Sequence, residues 1–324
     1  MNKVKTIGIL TSGGDAPGMN AALRAIVRSA VVKGIRVVGI KRGYNGLIKG
    51  DIIELDLRSV SDIIHKGGTY LYTARCLEFK DEAGVDLAVE TCKKFGIDGI
   101  IVIGGDGSFR GAADLSAKGI PCVGIPGTID NDIAASDYTI GFNTALETIC
   151  ECVDKIRDTS QSHDRCSIVE VMGRDAGWLA LESGIAVGAT IILVKEIPFD
   201  FQKDVIDRIN RTIKTGKKHF IIVVSEGLEL DVNEFAKHVE RETNIVTRAT
   251  VLGYIQRGGS PSVMDRVMAT KMGAYAVNLL EKGKGNRVVV MQKNKLVDID
   301  IFDALAMKKE FDFDAYNMAN SVNI

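Results

Sequence analysis

The chain has 324 residues, 46% of them apolar, and its 41 Lys and Arg residues nearly balance 42 Asp and Glu residues. This length is more than one hydrophobic core usually serves, so two domains are expected and intrinsic disorder is excluded. The net charge of −1 excludes a global field that would draw the chain to nucleic acid or to a membrane surface. An anionic ligand would therefore have to be bound by local groups.

The six cysteines form no C-x-x-C pair and no Cys/His group with zinc spacing, so we interpret them as reduced thiols of the core. No apolar stretch approaches the length of a membrane span, and the first strand is too short to be a signal-peptide core. A cytoplasmic protein is expected.

Short apolar runs alternate along the chain with longer segments of helical period, which is typical of the α/β class. Most of the runs are apolar throughout, as in parallel sheets covered by helices on both faces. The predicted strands are Thr6–Leu10, Val37–Ile40, Gly99–Ile103, Cys122–Ile125, Ser167–Val171, Thr190–Val194, Phe220–Val224, Thr247–Val251 and Arg287–Met291. The predicted helices include Asn20–Lys33, Leu87–Phe95, Ala145–Arg157, Val205–Thr215, Glu234–Thr243 and Met264–Leu280. Ligands of such sheets bind beyond the carboxyl ends of the strands.

Two glycine-rich loops follow predicted strands and precede helices. The first, residues 11–20 (TSGGDAPGMN), could present backbone amides and a helix N-terminus to a phosphate, although it is neither a Walker loop nor a clean dinucleotide fingerprint. The second, residues 104–108 (GGDGS), places Asp106 between glycines, where a carboxylate can organise Mg²⁺ beside phosphate oxygens. An ordinary strand-to-helix turn remains the alternative for each loop taken alone.

The loop PGTIDND, residues 126–132, carries two carboxylates, Asp130 and Asp132, with the hydroxyl of Thr128 just before them. One carboxylate could accept a proton while the other orients it or helps to hold a metal, so Asp130 is the candidate general base. Local turn chemistry is the alternative explanation.

A fourth group is cationic and suits a phosphorylated substrate. It comprises Arg165, Arg174, Arg248 and Arg257.

The segments TSGGDAPGMN, GGDGS, PGTIDND, VEVMGR and GYIQRGGSP occur in this order over almost the whole chain. With them, the sequence closely resembles the bacterial ATP-dependent 6-phosphofructokinase family. The resemblance implies two Rossmann-like three-layer domains with mostly parallel sheets and an active site in the cleft between them. It also implies transfer of the γ-phosphoryl group of MgATP to the 1-hydroxyl of fructose 6-phosphate, a step of glycolysis, by a homotetramer with shared sites.

The predicted domains are a larger ATP-binding domain, 1–140 plus 255–306, and a smaller domain that binds fructose 6-phosphate, 141–254 plus 307–324. The resemblance places Mg²⁺ at Asp106 and makes Asp130 the base, with Thr128, Asp132 and Arg174 as further catalytic residues. The implied ATP region is Gly14, Tyr44, Arg75, Cys76, Gly105, Asp106, Gly107 and Ser108. The implied sugar-phosphate site is Thr128, Ile129, Asp130, Arg165, Met172, Gly173, Arg174, Glu226, Arg248, Tyr254, Ile255, Gln256 and Arg257.

In the family, Arg165 and Arg248 resemble residues that reach the 6-phosphate from a neighbouring subunit. An effector site for ADP or phosphoenolpyruvate is implied at Arg24, Arg28, Arg157, Gly188, Thr190, Lys217, Lys218 and His219.

The chain departs from the family pattern at four positions. Tyr254 stands where enteric members have a sugar-contacting His, and Cys76 replaces the usual aromatic neighbour of Arg75. In the effector region, Thr190 replaces the acidic residue that meets the effector's Mg²⁺, and Thr215 replaces a basic residue. We therefore expect weak activation by ADP, whereas inhibition by phosphoenolpyruvate stays open.

The phosphoryl donor is predicted from two glycines. Pyrophosphate-using relatives carry Asp in place of Gly107 and Lys in place of Gly127, and a carboxylate at position 107 would crowd and repel the α-phosphate of ATP. Glycine at both positions favours ATP. The alternatives are a pyrophosphate-dependent phosphofructokinase, a sugar-phosphate sensor without catalysis and, less well matched in its glycine spacing, a dinucleotide dehydrogenase.

Overall fold

The computed structural model describes residues 4–323. The chain forms two compact units: the first contains the residues up to Thr144 together with Arg257–Lys309, and the second contains Ala145–Gln256 together with the residues from Glu310 onward. None of the helices within residues 4–323 combines the length and the hydropathy of a membrane-spanning segment.

The strands alternate with helices along most of the chain. The strands are β1 (Thr6–Thr11), β2 (Arg36–Ile40), β3 (Ile52–Leu55), β4 (Gly99–Gly104), β5 (Cys122–Thr128), β6 (Ile140–Gly141), β7 (Cys166–Val171), β8 (Ile191–Leu193), β9 (Phe220–Ser225), β10 (Thr247–Val251), β11 (Arg287–Gln292) and β12 (Lys295–Asp300). The helices are α1 (Met19–Val32), α2 (Gly43–Lys49), α3 (Glu82–Phe95), α4 (Asp106–Ala117), α5 (Phe142–Ser162), α6 (Trp178–Ala186), α7 (Asp207–Ile213), α8 (Val232–Thr243), α9 (Val263–Glu281), α10 (Ile301–Ala306) and α11 (Phe313–Val322).

The first unit is built on one sheet with the strand order β12-β11-β5-β4-β1-β2-β3, and β6 pairs with the end of β5. The pairs that join β2, β1, β4, β5 and β11 are parallel, whereas β3 and β12 run antiparallel at the two edges. The strands β1 and β4 are buried along their whole length, as their continuously apolar sequences predict. Their carboxyl ends and that of β5 therefore adjoin one another at one edge of the sheet.

The second unit is built on a parallel sheet with the order β10-β7-β9-β8. Its core contains buried apolar residues from β7, β8, β9 and α8. The predicted α/β class with mostly parallel sheets is thereby confirmed.

Several predicted boundaries were wrong. The strands β3, β6 and β12 were not predicted, because β3 and β12 are half-exposed edge strands without a continuous apolar run and β6 has only two residues. Residues 126–128 belong to β5, and residues 106–108 form the first turn of α4, although both segments were predicted to lie in loops. Glycine at N-terminal turns and at strand ends masks the continuation of the element in sequence.

The prediction of six core thiols was correct for only half of them. All six cysteines are free, but Cys76, Cys150 and Cys152 are partly exposed. Burial raises the pKa of the other three thiols, Cys92, Cys122 and Cys166, to about 12. Since the thiolate is the reactive species, these three thiols are inert at neutral pH.

Candidate active site

Three of the predicted motif segments meet at one edge of the first sheet. The amide of Ser12 donates to the carbonyl of Ile103 at 3.0 Å, which joins the end of β1 to the end of β4. A Cβ on Gly105 would lie 3.8 Å from the Cβ of Thr128, so the start of α4 contacts the end of β5. The segments that carry Gly14, Asp106 and Asp130 therefore lie side by side.

The first glycine loop leads into α1. Gly13 and Gly18 have φ of 85° and 108°, a region that favours glycine. Thr73 donates its hydroxyl to the carbonyl of Gly13 at 2.8 Å, and this contact places the segment before the exposed Arg75 against the loop. A Cβ on Gly14 would lie 2.5 Å from Nη1 of Arg257, which also faces Asp15 at 3.8 Å. Arg257 is thus next to the candidate phosphate loop.

Asp106 lies in the first turn of α4 and is partly exposed. Its carboxylate is paired with Arg110, one turn later on the same helix, at 2.9 Å. A Cβ on Gly107 would meet nothing within 4 Å, so open space lies beside this turn. Ser108 is buried, and its carbonyl accepts from the hydroxyl of Tyr44 at 2.5 Å.

Tyr44, which was predicted to contact ATP, bonds to the first turn of α4. Its side chain is buried and its ring stacks on Phe79 with 4.2 Å between centroids. Burial raises the pKa of the phenol well above its ordinary value, so the hydroxyl is a permanent donor to the α4 turn. Cys76 is only partly buried and packs against the same apolar cluster.

Asp130 and its neighbours form a tight turn beyond β5. Asp130 is buried, with 9% of its surface exposed, and its amide donates to Oγ1 of Thr128 at 3.2 Å. The following residue, Asn131, has a left-handed φ of 50°, and its carbonyl accepts from Nζ of Lys309 at 2.5 Å. Lys309 was not predicted to belong to the site, because no motif surrounds it in the sequence.

In the second unit, Met172, Gly173 and Arg174 follow β7 at its carboxyl end. Oε1 of Glu226, which follows β9, accepts from the amides of Gly173 and Arg174 at 3.2 and 2.7 Å. Gln256 is fully buried. Its Oε1 accepts from the amide of Met172 at 3.1 Å, and its Nε2 donates to the carbonyl of Gly253 at 3.0 Å.

These contacts hold the Met-Gly-Arg turn in place and leave the Arg174 side chain exposed. Another acid lies nearby on β7: burial and the charge of Glu226 raise the pKa of the Glu170 carboxyl.

Arg165 and Arg248 lie at the amino-terminal ends of the strands of this sheet, opposite the Met-Gly-Arg turn. Arg165 immediately precedes β7, and Arg248 is the second residue of β10, where it pairs with Glu240 at 3.0 Å. The length of β7 separates Arg165 from Met172 by about 20 Å at the usual rise per residue. Within one copy of this unit, the two arginines and the Met-Gly-Arg turn therefore lie at opposite ends of the strands. Tyr254 and Ile255 are exposed at 81% and 53%.

A cluster of cations lies at the amino-terminal edge of β8 and β9. The pKa of Lys217 is lowered by burial and by the charges of Arg157 and Arg208. Sequence analysis missed Arg208, which lies on α7 and binds Asn320 of the C-terminal helix at 2.6 Å. The pKa of His219 is lowered by burial and by Lys217 and Arg157.

The other predicted effector residues have differing surroundings. Thr190 is fully buried, and its hydroxyl has no hydrogen-bond partner among the described residues. Arg157 donates to the carbonyl of Val187, beside Gly188. Lys218 is exposed, whereas Arg24 and Arg28 are half-buried on α1 of the first unit.

Residues 6–280 match the family model for phosphofructokinase. The chain belongs to the phosphofructokinase family. Among curated proteins, it is 56% identical to the ATP-dependent 6-phosphofructokinases of Bacillus cytotoxicus and Bacillus velezensis over 321 residues, which is 99% of this chain and 100% of each relative.

Solved structures of phosphofructokinases share the fold. The yeast enzyme from Saccharomyces cerevisiae superposes with a TM-score of 0.86 at 35% identity over 93% of this chain and 45% of the yeast chain. The Pichia pastoris phosphofructokinase, solved in the T-state, gives a TM-score of 0.89 at 38% identity over 94% of this chain and 36% of that one. The chain thus spans less than half the length of these two yeast chains.

Phosphofructokinases that differ in phosphoryl donor also share this architecture. A pyrophosphate-dependent member from Marinobacter aquaeolei superposes with a TM-score of 0.86 at 22% identity, over 96% of this chain and 86% of that chain. Fold alone therefore does not select the donor, and the choice must come from residues beside the phosphates.

Proposed function

We propose that the chain transfers the γ-phosphoryl group of ATP to the 1-hydroxyl of fructose 6-phosphate and forms fructose 1,6-bisphosphate, a step of glycolysis. The observation that carries the proposal is the placement of Asp106 and Asp130 on neighbouring strand ends of one sheet. The full-length identity of 56% to ATP-dependent 6-phosphofructokinases supports the same reaction.

Phosphoryl transfer asks the protein mainly for in-line positioning and for cancellation of charge. Asp130 accepts the proton of the sugar hydroxyl as its oxygen bonds to the γ-phosphorus, while the bond from that phosphorus to the β–γ bridging oxygen breaks and ADP leaves. Thr128 supports Asp130 through the bond to its amide, and Asp132 lies in the same turn. Arg174 contributes a guanidinium whose planar donors match phosphoryl oxygens.

The residues around Asp106 fit a magnesium ion that arrives with the nucleotide. Mg²⁺ keeps most of its water and usually binds one or two carboxylates together with substrate phosphates. Asp106 supplies one partly exposed carboxylate at a helix N-terminus, and residues 4–323 contain no group of three His, Cys, Asp or Glu side chains arranged as a metal site. Bound there, Mg²⁺ would neutralise phosphate charge. Asp106 would leave its ion pair with Arg110 to hold it.

The surroundings of two glycines support ATP as the donor. The open space beside Gly107 can accept a nucleotide phosphate, whereas an acidic side chain there would enter that space. Gly127 is enclosed instead: a Cβ would lie 3.1 Å from both Ile103 and Met19. A lysine at position 127 would force Met19 to move, so the packing of this unit is adapted to glycine.

The opposite placement of Arg165 and the Met-Gly-Arg turn supports a site shared between subunits. In this arrangement the 6-phosphate is bound by Arg165 and Arg248 of a neighbouring copy, and the sugar is bound by Glu226, Arg257 and the Met-Gly-Arg turn. We take the assembly to be a homotetramer of a cytoplasmic enzyme. The cation cluster around Lys217 and His219 is the candidate site for an anionic effector such as phosphoenolpyruvate.

A coupled assay of fructose 6-phosphate with ATP or with pyrophosphate, run in parallel, tests the proposal. We expect fructose 1,6-bisphosphate and ADP to form with ATP and no turnover with pyrophosphate. Turnover with pyrophosphate alone would reassign the donor. Binding of fructose 6-phosphate without any product from either donor would instead indicate a sugar-phosphate sensor.

A further inference from the structure

Asp265 is a fully buried carboxylate that no motif analysis identified. It lies in the first turn of α9, where Ser262 begins the helix and accepts from the Asp265 amide at 3.2 Å. Buried carboxylates are rare unless their oxygens are satisfied, because removing a charge from water is costly. The surroundings of Asp265 must therefore supply donors.

Four donors come from the segment 138–144, and the hydroxyl of Ser262 also donates to Oδ2 at 3.4 Å. Oδ1 accepts from the hydroxyl of Tyr138 at 2.5 Å and from the amide of Gly141 at 2.6 Å. Oδ2 accepts from the amide and the hydroxyl of Thr144 at 2.9 and 2.5 Å. The amide of Ser262 donates back to Oγ1 of Thr144 at 3.0 Å, so the start of α9 and this segment bind each other reciprocally.

The segment 138–144, which donates to Asp265, also contacts the turn that carries Asp130. Its strand β6 pairs with β5, Gly141 lying opposite Thr128, and Thr139 donates its hydroxyl to the carbonyl of Thr128 at 2.7 Å. Thr128 in turn accepts from the amide of Asp130. Hydrogen bonds, together with the backbone of the segment 138–144, therefore connect Asp265 to the turn that carries the proposed base.

The same segment packs against the first glycine loop. A Cβ on Gly141 would lie 2.6 Å from the Cβ of Ala16, and a Cβ on Gly18 would lie 2.6 Å from Ile140 and 3.4 Å from the Cβ of Asp265. A side chain at Gly141 or Gly18 would clash at these distances, so the two segments can approach this closely only because both residues are glycine. Asp265 thus lies behind both the candidate phosphate loop and the Asp130 turn.

We propose that Asp265 is a positioning residue for the phosphoryl transfer, which sets the distance between the Asp130 turn and the phosphate loop without touching a reacting atom. The inference rests on the proposed function and adds a residue to it. Displacement of a base by a fraction of an ångström to one ångström is enough to reduce the rate strongly, because proton transfer requires hydrogen-bond geometry in the transition state.

The test variant is Asp265→Asn, which keeps the shape of the side chain but replaces one acceptor oxygen with an amide nitrogen. That nitrogen must face either Tyr138 and Gly141 or Thr144, all of which donate. We expect kcat to fall by about 10- to 100-fold, as for a misplacement of about 1 Å, with little change in KM for either substrate. The matched control is Asp298→Asn, which removes a part-buried carboxylate on β12 that accepts from Arg287 and Tyr275.

A solvent deuterium isotope effect on kcat separates positioning from a loss of folded protein. A misplaced base makes proton transfer limit the rate, so the isotope effect should rise in Asp265→Asn and stay at the wild-type value in Asp298→Asn. A smaller folded fraction scales the rate without changing the isotope effect. A normal kcat, or a reduced kcat with an unchanged isotope effect, would overturn the proposal.

Tyr138→Phe keeps the proposal testable if Asp265→Asn does not fold. This variant removes one of the donors to Asp265 and should lower kcat by several-fold with the same rise in isotope effect. A wild-type kcat in Tyr138→Phe together with an unfolded Asp265→Asn would assign Asp265 to folding alone. An inactive wild-type enzyme would refute the proposed function, whereas an active wild type with active variants refutes only the role of Asp265.

Discussion

Asp130 combines burial with a turn that leaves it little freedom. Its position is constrained on one side by Thr128 and on the other by Asn131, whose left-handed backbone is held by Lys309. A turn whose backbone is fixed in this way limits the positions that the carboxylate can take, and preorganised sites gain from such a limit. The role of a single residue therefore depends on neighbours that are distant in sequence.

Replacing the proposed base tests this role directly. Asp130→Ala should lower kcat by about 10²–10⁴-fold, the usual contribution of a general base, while the affinity for fructose 6-phosphate changes much less. Steady-state kinetics with both substrates measure the two effects. Asp137→Ala, which removes an exposed carboxylate of the same segment, should keep a kcat near the wild-type value. A near-normal kcat in Asp130→Ala would exclude Asp130 as the base.

Gly107 provides a test in which stability and activity are expected to change in opposite directions. Gly107→Asp adds a side chain where a Cβ meets nothing, and an acidic residue in the first turn of a helix is favourable by about 0.3–1 kcal/mol. The melting temperature should therefore stay equal or rise, while KM for ATP rises by at least about tenfold through repulsion of the α-phosphate, roughly the effect of 1.4 kcal/mol.

Gly107→Ala is the matched control for the added Cβ, and its KM for ATP should change far less. An unchanged KM for ATP in Gly107→Asp would show that this turn does not face the nucleotide phosphates.

At the scale of the elements, the proposed catalytic segments and the cation cluster lie at opposite ends of the strands of their respective sheets. In the first unit, the carboxyl ends of β1, β4 and β5 carry the proposed catalytic segments, and α4 begins at Asp106 with its N-terminal amides at the same edge. In the second unit, the amino-terminal edge collects Arg157, Lys217 and His219. Burial lowers the pKa values of Lys217 and His219, and nearby cations lower them further, Arg157 for Lys217 and Lys217 for His219. A bound anion would offset this charge repulsion.

The His219 pKa predicts the pH dependence of anion binding. Burial, Lys217 and Arg157 lower this pKa, and Asp164 opposes them, so the free protein holds His219 mostly neutral near pH 7. A bound anion favours the protonated form, so binding takes up a proton and the affinity should increase as the pH falls through the range in which His219 protonates.

The measurement is inhibition by phosphoenolpyruvate between pH 8 and pH 6, roughly the range over which histidine titrates. The phosphate of the inhibitor also titrates in this range, so the quantity of interest is the difference between wild type and His219→Asn. We expect the wild type to gain more affinity on acidification than the variant. Identical pH profiles would place His219 outside the anion site.

At the scale of the whole molecule, the proposed function assigns residues at both ends of the strands of the second sheet to one sugar-phosphate site. Arg165 and Arg248 lie at the amino-terminal ends of β7 and β10, whereas the Met-Gly-Arg turn follows the carboxyl end of β7. We therefore propose that two copies of the chain complete the site. Activity should depend on assembly in the way expected when subunits contribute different residues to one site.

Hybrid assemblies test the shared site. Asp130→Ala and Arg248→Ala should each be nearly inactive alone, but subunits that are mixed, dissociated and reassembled should recover part of the activity. In some hybrid sites an intact Asp130 is then combined with an intact Arg248 of the other variant. Mixtures of Asp130→Ala with Asp130→Asn provide the control and should stay inactive. No recovery in verified hybrids would place both residues in a site within one chain.

The sequence alone was sufficient for the α/β class and for the three segments at the edge of the first sheet. Strands that are apolar throughout exclude a sheet with one face exposed to solvent. Glycine and aspartate directly after a strand indicate the carboxyl ends of the strands, where ligands bind. These features are local, since each depends on a few consecutive residues. The resemblance to the family then suggested the reaction and the residues that take part in it.

Only the tertiary structure revealed the positions that depend on distant contacts. Asp265, Lys309 and Arg208 carry no motif, and each acquires its role because packing brings it to a segment more than one hundred residues away. The antiparallel edge strands β3 and β12 and the burial of Tyr44 were likewise invisible, since local patterns do not report which neighbour covers a side chain. The strand order, and with it the end of the sheet at which each arginine lies, follows from pairing between strands that are distant in sequence. The energy of that pairing arises from contacts across strands, so no single segment determines it.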